Sequence, residues 1–348
     1  MYLLKHLPED FIVKEIPLRQ PGPSGKYLYF RLRKKNRNTL EVVQEIARLL
    51  QVKDKQIGFA GSKDKKAVTE QVCSLVGVSK ERLRALRIKD VEIEFLGYGN
   101  QPISLGDLQG NYFEIVVRDL DGGVKVKKIS FFPNYFDEQR FGENNALLGK
   151  LLLKKEFQKV VETLNLLQFR EHLTRHPHDF VGALLLLPIR QLRMYLNAYQ
   201  SLLWNETLAE FLRRKGRGIV EIPYRKGTFV FVENGQEFKD LKIPIVGFGL
   251  ETLDIDSEVQ EIVSSVLASE AVSSADFIIK QIPALTLEGE LRKALVEVKD
   301  LEIGKLESDE AFPGKYKAKL TFFLPKGSYA TMAVRNIFVD SSRCRNSK

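Results

Sequence analysis

The sequence predicts an α+β fold with a mixed, largely antiparallel sheet and flanking helices. Segments with the period-two alternation of strands and segments with the 3.6-residue period of helices mix without strict alternation, which disfavours a doubly wound parallel sheet. The chain has 348 residues, of which 44% are hydrophobic. It is therefore long enough for two domains with packed cores.

The first predicted elements are two strands, at 11–16 and 26–33, and a helix at 39–50. In the second strand, Leu28, Phe30 and Leu32 are predicted to pack, while Tyr29, Arg31 and Arg33 are predicted to be exposed. Asn38 is placed to cap the helix. Its predicted apolar stripe consists of Leu40, Val43, Ile46, Ala47 and Leu50.

A short strand at 57–60 is followed by a polar loop at 61–66, which lies between two apolar segments and is a natural position for a site. The further predicted elements are strands at 91–97, 112–118 and 316–324 and helices at 79–86 and 124–129.

The middle of the chain differs in character and is predicted to form a separate module. Long helix-like segments at 143–167 and 188–214 precede short β-like pieces and acidic helices. Because β-type sequence returns afterwards, we expect residues 1–159 and 305–348 to form one discontinuous domain, interrupted by a module at 160–304.

The net charge of +9 is distributed unevenly. Residues 25–66 carry twelve basic and four acidic side chains, which gives +8, whereas residues 250–310 carry five basic and fifteen acidic side chains, which gives −10. Such asymmetry favours a single face of the protein that binds a polyanion. Basic side chains that are simply exposed to solvent would give the same count.

Several protein classes are disfavoured. The longest apolar run, 180–189, is about half of what a membrane-spanning helix needs, and residues 1–7 do not resemble a signal peptide. A cytoplasmic, membrane-free protein is therefore expected. Cys73 and Cys344 are too few for a disulfide framework, and neither has a neighbouring cysteine at zinc-ligand spacing.

Neither a cofactor nor a metal is predicted. Phosphate-binding and dinucleotide-binding glycine motifs are missing from the sequence. His172 and His176 have the i, i+4 spacing of zinc ligands, but Pro177 would break such a helix before His178. A capping or surface role for these histidines is the preferred interpretation.

Three segments have the composition of functional sites. Residues 58–71 place Asp64 among lysines, which suits a nucleophile or general base but also a solvated turn. Residues 133–142 are rich in aromatic and amide side chains, which can bind an unstacked RNA base or pack as a turn. Residues 324–335 place glycine and small polar residues before a helix, which is also typical of a helix cap.

Four blocks of the sequence, in this order, resemble the tRNA pseudouridine synthase D (TruD) family. The blocks are 9–15 (EDFIVKE), 61–71 (GSKDKKAVTEQ), 134–142 (NYFDEQRFG) and 324–331 (LPKGSYAT), and residues 193–205 show weaker similarity. The resemblance implies a pseudouridine-synthase catalytic domain with the family's inserted α/β module. It also implies isomerisation of a uridine in tRNA, without cofactor or metal, by a protein expected to be a monomer. The implied target resembles uridine 13 of tRNA-Glu.

The resemblance also implies site residues. Asp64 matches the family's catalytic aspartate, and Phe11, Asn134 and Phe136 match positions that hold the target uridine. Tyr329 matches a base-contacting aromatic that is often Phe in the family.

Two lysines, Lys5 and Lys63, are the candidates for keeping the Asp64 carboxylate charged beside the substrate. Asp137 departs from the family pattern, because Gly commonly follows Asn-Tyr-Phe, and Tyr329 adds a hydroxyl group. Covalent addition at C6, capture at C1′ and a glycal route all remain open for the mechanism.

The alternative function is a non-catalytic tRNA-binding or tRNA-folding protein. Asp64 disfavours it, because a carboxylate in an RNA cleft repels phosphate and gives a pure binder no benefit. A metal-dependent nuclease would need clustered carboxylates, which the sequence around Asp64 does not contain.

Overall fold

The computed structural model describes residues 2–339, so Cys344 lies outside the described residues. The strands are β1 (Phe11–Pro17), β2 (Tyr27–Lys35), β3 (Ile57–Phe59), β4 (Val68–Leu75), β5 (Val91–Gly99), β6 (Leu108–Leu120), β7 (Phe131–Pro133), β8 (Val220–Tyr224), β9 (Gly227–Phe231), β10 (Lys242–Ile245), β11 (Glu290–Lys293), β12 (Leu295–Glu297), β13 (Lys299–Ile303), β14 (Glu307–Ser308) and β15 (Tyr316–Pro325). The helices are α1 (Thr39–Leu50), α2 (Lys80–Arg84), α3 (Asn145–Leu153), α4 (Phe157–Leu164), α5 (Leu167–Arg175), α6 (Phe180–Leu185), α7 (Ile189–Lys215), α8 (Ser257–Glu270) and α9 (Ala330–Ile337). The α+β class is confirmed.

The described chain divides into two compact units, one of residues 2–130 and 297–330 and one of residues 131–296 and 331–339. The sequence predicts a boundary between residues 159 and 160, whereas the boundary between the compact units lies between residues 130 and 131. The difference arises because α3 packs closely on α7 and therefore belongs to the second unit. A Cβ on Gly149 would lie 2.1 Å from the carbonyl oxygen of Tyr195. The interpretation of residues 160–304 as an inserted module stays a prediction.

The first unit is built on one sheet with the strand order β13-β15-β6-β1-β4-β2-β5. In addition, β14 pairs with β15, and β3 pairs with β4. The neighbours pair antiparallel, except that β1 and β4 are parallel, with Ile12 opposite Val68. The expected mixed, largely antiparallel sheet is thereby confirmed. Since parallel strands start at the same edge, the segments that precede β1 and β4 meet there.

Helix α1 covers one face of this sheet and confirms the predicted element and its cap. The Asn38 side chain accepts a hydrogen bond from the backbone N–H of Leu40 at 2.8 Å. The predicted stripe is wrong at one position, since Leu40 is 42% exposed whereas Val42 is fully buried. Val42 packs with the β2 side chains of Leu28, Phe30 and Leu32 in one hydrophobic core cluster of this unit.

Two further expectations for the first unit are wrong. Tyr29 is buried rather than exposed, because it packs in a second apolar cluster with Ala60 and Val72, and its hydroxyl donates to the carbonyl of Gln101 at 2.8 Å. Residues 124–129 are not helical. After the turn that ends β6 they run without regular structure, anchored by the buried Ile129.

A buried ion cluster ties the N-terminal segment to the sheet. Arg118 of β6 is 5% exposed, and its Nε donates to both carboxylate oxygens of Asp10, at 3.0 and 2.9 Å. Its Nη1 donates to Asp309 at 2.9 Å and to Glu310 at 3.0 Å. Because Asp10 also accepts from the Leu7 backbone at 2.8 Å, the cluster fixes the segment that precedes β1.

The second unit is organised around α7, which confirms the predicted helix at 188–214. Trp204 of this helix is fully buried, and its indole N–H donates to the Ile243 carbonyl at 3.2 Å. The segment predicted as helical at 143–167 divides into separate helices because Lys155 adopts a left-handed φ of 58°. Two-stranded pairs β8–β9, β10–β11 and β7–β12 complete the unit. Across residues 2–339, every helix is too short or too polar to cross a membrane.

Candidate active site

Asp64 lies in the loop between β3 and β4, where its side chain is 35% exposed. Its Oδ2 accepts a hydrogen bond from Lys5 Nζ at 2.6 Å. Within residues 2–339, Oδ1 has no hydrogen-bond donor. The ion pair therefore orients the carboxylate, while the other oxygen remains available to a substrate.

Lys5 reaches Asp64 because the segments preceding β1 and β4 meet at one edge of the sheet. Its backbone has a φ of 56°, and a left-handed conformation costs a non-glycine residue roughly 1–2 kcal/mol. Such strain is retained where the surrounding structure fixes the residue, and it is concentrated at functional sites.

Phe11 lies beneath the Lys5 ammonium, whose nitrogen is 4.3 Å from the centre of the ring. The Phe11 side chain is only 2% exposed and packs edge-on against Phe113, with 6.1 Å between ring centres. Phe11 thus supports Lys5 from the core, and its predicted contact with the target uridine stays a prediction.

Lys63 does not pair with Asp64, although it precedes it in the chain. Its ammonium lies 2.7 Å from Glu15 and donates to the Asn111 side chain, also at 2.7 Å. The side chains of Lys63 and Glu15 are 8% and 1% exposed. Of the two candidate lysines, Lys5 is therefore the one that contacts the Asp64 carboxylate.

The backbone of the Asp64 loop is held by three polar side chains that are each at most 1% exposed, on Lys34, Thr39 and Gln71. The Lys34 ammonium donates to the carbonyl of Asp64 at 2.8 Å. The Thr39 hydroxyl accepts from the backbone N–H of Lys63 at 3.0 Å, and Gln71 donates to the Gly61 carbonyl at 3.1 Å. Residues of β2, α1 and β4 thus fix the loop together.

The sequence interpretation overlooked these supporting residues, although a signal for some of them exists. Lys34 follows Leu28, Phe30 and Leu32 at period two, so it occupies a core-facing position of β2. Glu15 continues the buried alternation of β1 in the same way. A charged residue in a core-facing series needs partners. For Lys34 they include two carbonyls of the Asp64 loop, and for Glu15 they include the Lys63 ammonium.

Burial lowers the pKa of the Lys34 ammonium from its ordinary 10.5 to about 8, and the nearby Asp64 carboxylate offsets part of this effect. Below pH 8 the lysine is charged in both the folded and the unfolded chain. Between pH 8 and 10.5 the folded chain has lost this proton and the unfolded chain keeps it, so Lys34 makes stability rise with pH in that window.

We therefore expect the free energy of unfolding of the native chain, relative to that of Lys34→Met, to increase by about 3 kcal/mol across this window. Urea unfolding at several pH values measures it. Lys14→Met is the matched control, because a hydrogen bond to Glu114 raises the pKa of Lys14 and gives no such increase below pH 10.5. A flat difference for the Lys34 variant would show that its ammonium is not desolvated.

The basic side chains of β2 and of the turn after it, which lie within the positively charged region 25–66, are less available to RNA than their charge predicts. Lys34 is buried, and the other basic side chains of β2 and the turn after it have acidic partners. The pairs are Arg31–Glu94, Arg33–Glu92, Lys35–Glu9 and Arg37–Glu45. Lys65 and Lys66, which follow Asp64, are exposed.

Asn134 and Phe136 belong to the second unit, whereas Asp64, Lys5, Phe11, Lys63 and Tyr329 belong to the first. Asn134 is 6% exposed. Its amide donates to the Lys293 carbonyl at 3.0 Å and accepts from Arg292 at 2.7 Å.

The Phe136 ring is 8% exposed. The Arg292 guanidinium lies over its face at 4.1 Å, and the Trp204 ring meets it edge-on with 5.6 Å between centres. The two residues that resemble uridine-binding positions are therefore linked by one arginine. Their contact with a base stays a prediction.

Asp137, one of the two departures from the family pattern, has structural contacts. Asp137 accepts from the Glu138 backbone at 2.7 Å and caps the short 3-10 helix that follows. Its second carboxylate oxygen accepts from the Thr331 hydroxyl. Tyr329 lies half-buried in the segment between β15 and α9.

Within residues 2–339 no group of three or more His, Cys, Asp or Glu side chains is placed to bind a metal ion. His172 instead contacts the Asp179 carboxylate at 2.9 Å, and its ring lies 5.0 Å from that of His176. Asp179 also caps α6 by accepting from the Gly182 backbone at 2.8 Å.

Comparisons with known proteins agree over nearly the whole chain. A family model described as tRNA pseudouridine synthase D (TruD) matches residues 2–172 and 166–337. The chain is 31% identical to the tRNA pseudouridine synthase D of Aquifex aeolicus, over 96% of this chain and 97% of that relative. It is 33% identical to a protein described as a probable tRNA pseudouridine synthase D from Thermococcus onnurineus, over 97% of this chain and 94% of that relative. The structure also resembles a crystal structure from Methanosarcina mazei whose protein is described as a tRNA pseudouridine synthase D (TruD). The two superpose with a TM-score of 0.69 and 28% sequence identity, over 99% of this chain and 95% of the other.

Proposed function

Because the chain belongs to the tRNA pseudouridine synthase D family, we propose that it isomerises a uridine of tRNA to pseudouridine with Asp64 as the catalytic carboxylate. The observation that carries the proposal is the partly exposed Asp64 carboxylate, whose Oδ2 is held by Lys5 at 2.6 Å. The proposed target is a uridine at position 13 of a tRNA-Glu type substrate. The non-catalytic tRNA binder remains an outcome of the test below.

The reaction breaks the N1–C1′ bond, turns the uracil within the site and joins C5 to C1′. The hydrogen on C5 leaves as a proton, N1 gains a proton, and no atoms are added overall. Asp64 must be ionised to attack the sugar or base or to remove a proton. The Lys5 ammonium holds one oxygen of this carboxylate at 2.6 Å.

The reacting atoms of a uridine lie within stacked RNA, so the nucleotide has to be turned out of the helix before chemistry. Unstacking costs a few kcal/mol, which aromatic stacking and hydrogen bonds in the site must offset. We assign part of this task to Phe136 and Asn134, which Arg292 holds side by side. The exposed Lys65 and Lys66 are suited to phosphate contacts beside Asp64.

We expect Phe136→Ala to lower the single-turnover rate at saturating tRNA by roughly 10- to 100-fold. Loss of one stacked ring costs on the order of 1–3 kcal/mol, while phosphate contacts that supply most of the affinity are retained. Filter binding of whole tRNA should therefore change little.

Phe169→Ala is the matched control, because Phe169 is a buried phenylalanine of the same unit, 1% exposed, outside the proposed site. It should lower the melting temperature without changing the rate at a temperature where the protein is folded. If the two variants lost stability and rate in the same proportion, Phe136 would be a core residue only.

The function is tested by incubating the protein with unmodified tRNA transcripts and mapping pseudouridine by carbodiimide treatment and primer extension. We expect one strong stop that corresponds to position 13 of the tRNA-Glu transcript, and no stop when uridine 13 is replaced by cytidine. Binding without any stop on a complete set of transcripts would favour the non-catalytic alternative.

A further inference from the structure

We propose that Lys34 is a positioning residue, whose buried ammonium holds the Asp64 loop so that the carboxylate faces the substrate. The inference rests on the proposed catalytic role of Asp64. Lys34 itself lies behind the loop and is 1% exposed, so it acts through the main chain and does not touch the reacting atoms.

The contacts of Lys34 are all main-chain carbonyls. Its Nζ donates to the carbonyls of Arg37 at 2.7 Å, of Asp64 at 2.8 Å and of Lys63 at 3.4 Å. Two of these carbonyls belong to consecutive residues of the loop that carries the catalytic carboxylate. Their orientation fixes the peptide planes on both sides of the Asp64 α-carbon, and hence the direction of its side chain.

A lysine is a costly choice for this position. Within residues 2–339 no carboxylate lies within ion-pair distance of the Lys34 ammonium, so its direct partners are carbonyl oxygens. The preceding core-facing positions of β2 hold Leu28, Phe30 and Leu32, and an apolar residue would continue this series without desolvating a charge. The presence of lysine at this position is therefore better explained by its contacts with the Asp64 loop than by a contribution to the stability of the sheet.

The other polar side chains near the Asp64 loop do not hold the Asp64 carbonyl. Lys5 approaches the Asp64 carboxylate, not the backbone, and Lys63 is committed to Glu15. Thr39 contacts the backbone N–H and carbonyl of Lys63, at 3.0 and 3.5 Å, and Gln71 donates to the Gly61 carbonyl, but neither contacts the Asp64 carbonyl. Lys34 is thus the side chain that holds the Asp64 carbonyl.

The first test replaces Lys34 with Met, which has a similar length but no donor. We expect the single-turnover rate to fall about 10²-fold, as for a displaced reacting group, while tRNA affinity changes less than about twofold. Lys14→Met is the matched control, because that lysine lies on β1 of the same sheet in a pair with Glu114, and its rate should stay at the wild-type value.

The second test is chemical rescue, which a merely structural role would not give. Lys34→Ala removes the atoms that propylammonium replaces, so this cation should restore part of the rate. Tetramethylammonium has the same charge but no N–H donor and should restore none. Both cations act on the same Ala variant, so any stability that this variant has lost is common to the two measurements.

The outcomes separate the two proposals. Inactivity of the wild-type protein on all tRNA transcripts would overturn the proposed function and this inference with it. A wild-type rate in folded Lys34→Met, beside an inactive Asp64→Asn, would overturn the positioning role alone. Equal rescue by both cations, or none by propylammonium, would also contradict it.

Discussion

Asp64→Asn is expected to abolish pseudouridine formation, with a loss of at least about 10³-fold in single-turnover rate at saturating tRNA. The amide has the size of the carboxylate but is a poor nucleophile and a poor base. The Asn side-chain oxygen can still accept from Lys5, and the loop contacts of Lys34, Thr39 and Gln71 involve only backbone groups. The fold and the tRNA affinity should therefore be retained.

The matched control is Asp90→Asn. Asp90 is exposed and has a φ of 60°, a conformation that Asn tolerates, so the same chemical change is made away from the site. Its rate should equal that of the wild type. Appreciable turnover by a folded Asp64→Asn protein would remove Asp64 from the chemistry.

Arg118→Met should destabilise the protein by about 3–5 kcal/mol, the usual result of removing one partner from a buried ion cluster. The carboxylates of Asp10 and Asp309, whose residues are 2% and 3% exposed, would remain buried without their cation. The loss should be visible as a lower denaturant midpoint. Because the cluster fixes the segment before β1, the placement of Lys5 should also loosen.

Lys315→Met is the control for this prediction, because its ion pair with Asp121 lies at the surface, with side chains 40% and 65% exposed. Exposed pairs contribute little to stability, so its denaturant midpoint should match that of the wild type. Similar midpoints for the Arg118 and Lys315 variants would mean that the buried cluster is dispensable.

Local sequence signals predict where the helices and strands of this fold lie. They predict less well which side chains are buried. Asn38 identifies the start of α1, and the alternation of β2 identifies a strand, because capping and periodicity depend only on near neighbours. The same signals misplace Leu40 and Tyr29. Whether a side chain is buried depends on which distant segment covers it.

The candidate site shows the same limit more sharply. The resemblance predicts Asp64 as the catalytic residue, but the identity of its lysine partner depends on the parallel pairing of β1 with β4, which brings Lys5 to the loop from 59 positions away. Lys63, although adjacent in sequence, points to Glu15. Lys34 could be recognised as unusual from its core-facing position, but its partners become known only from the structure.

The central claim is that the chain detaches uracil from C1′ and rejoins it through C5. Release of tritium from tRNA that carries 5-³H-uridine tests this most directly, because the C5 hydrogen must leave when C5 forms the new bond. We predict one equivalent of tritium for each pseudouridine formed, no free uracil, and no release by Asp64→Asn. Free uracil without pseudouridine, or no tritium release from any tRNA that the protein binds, would contradict the claim.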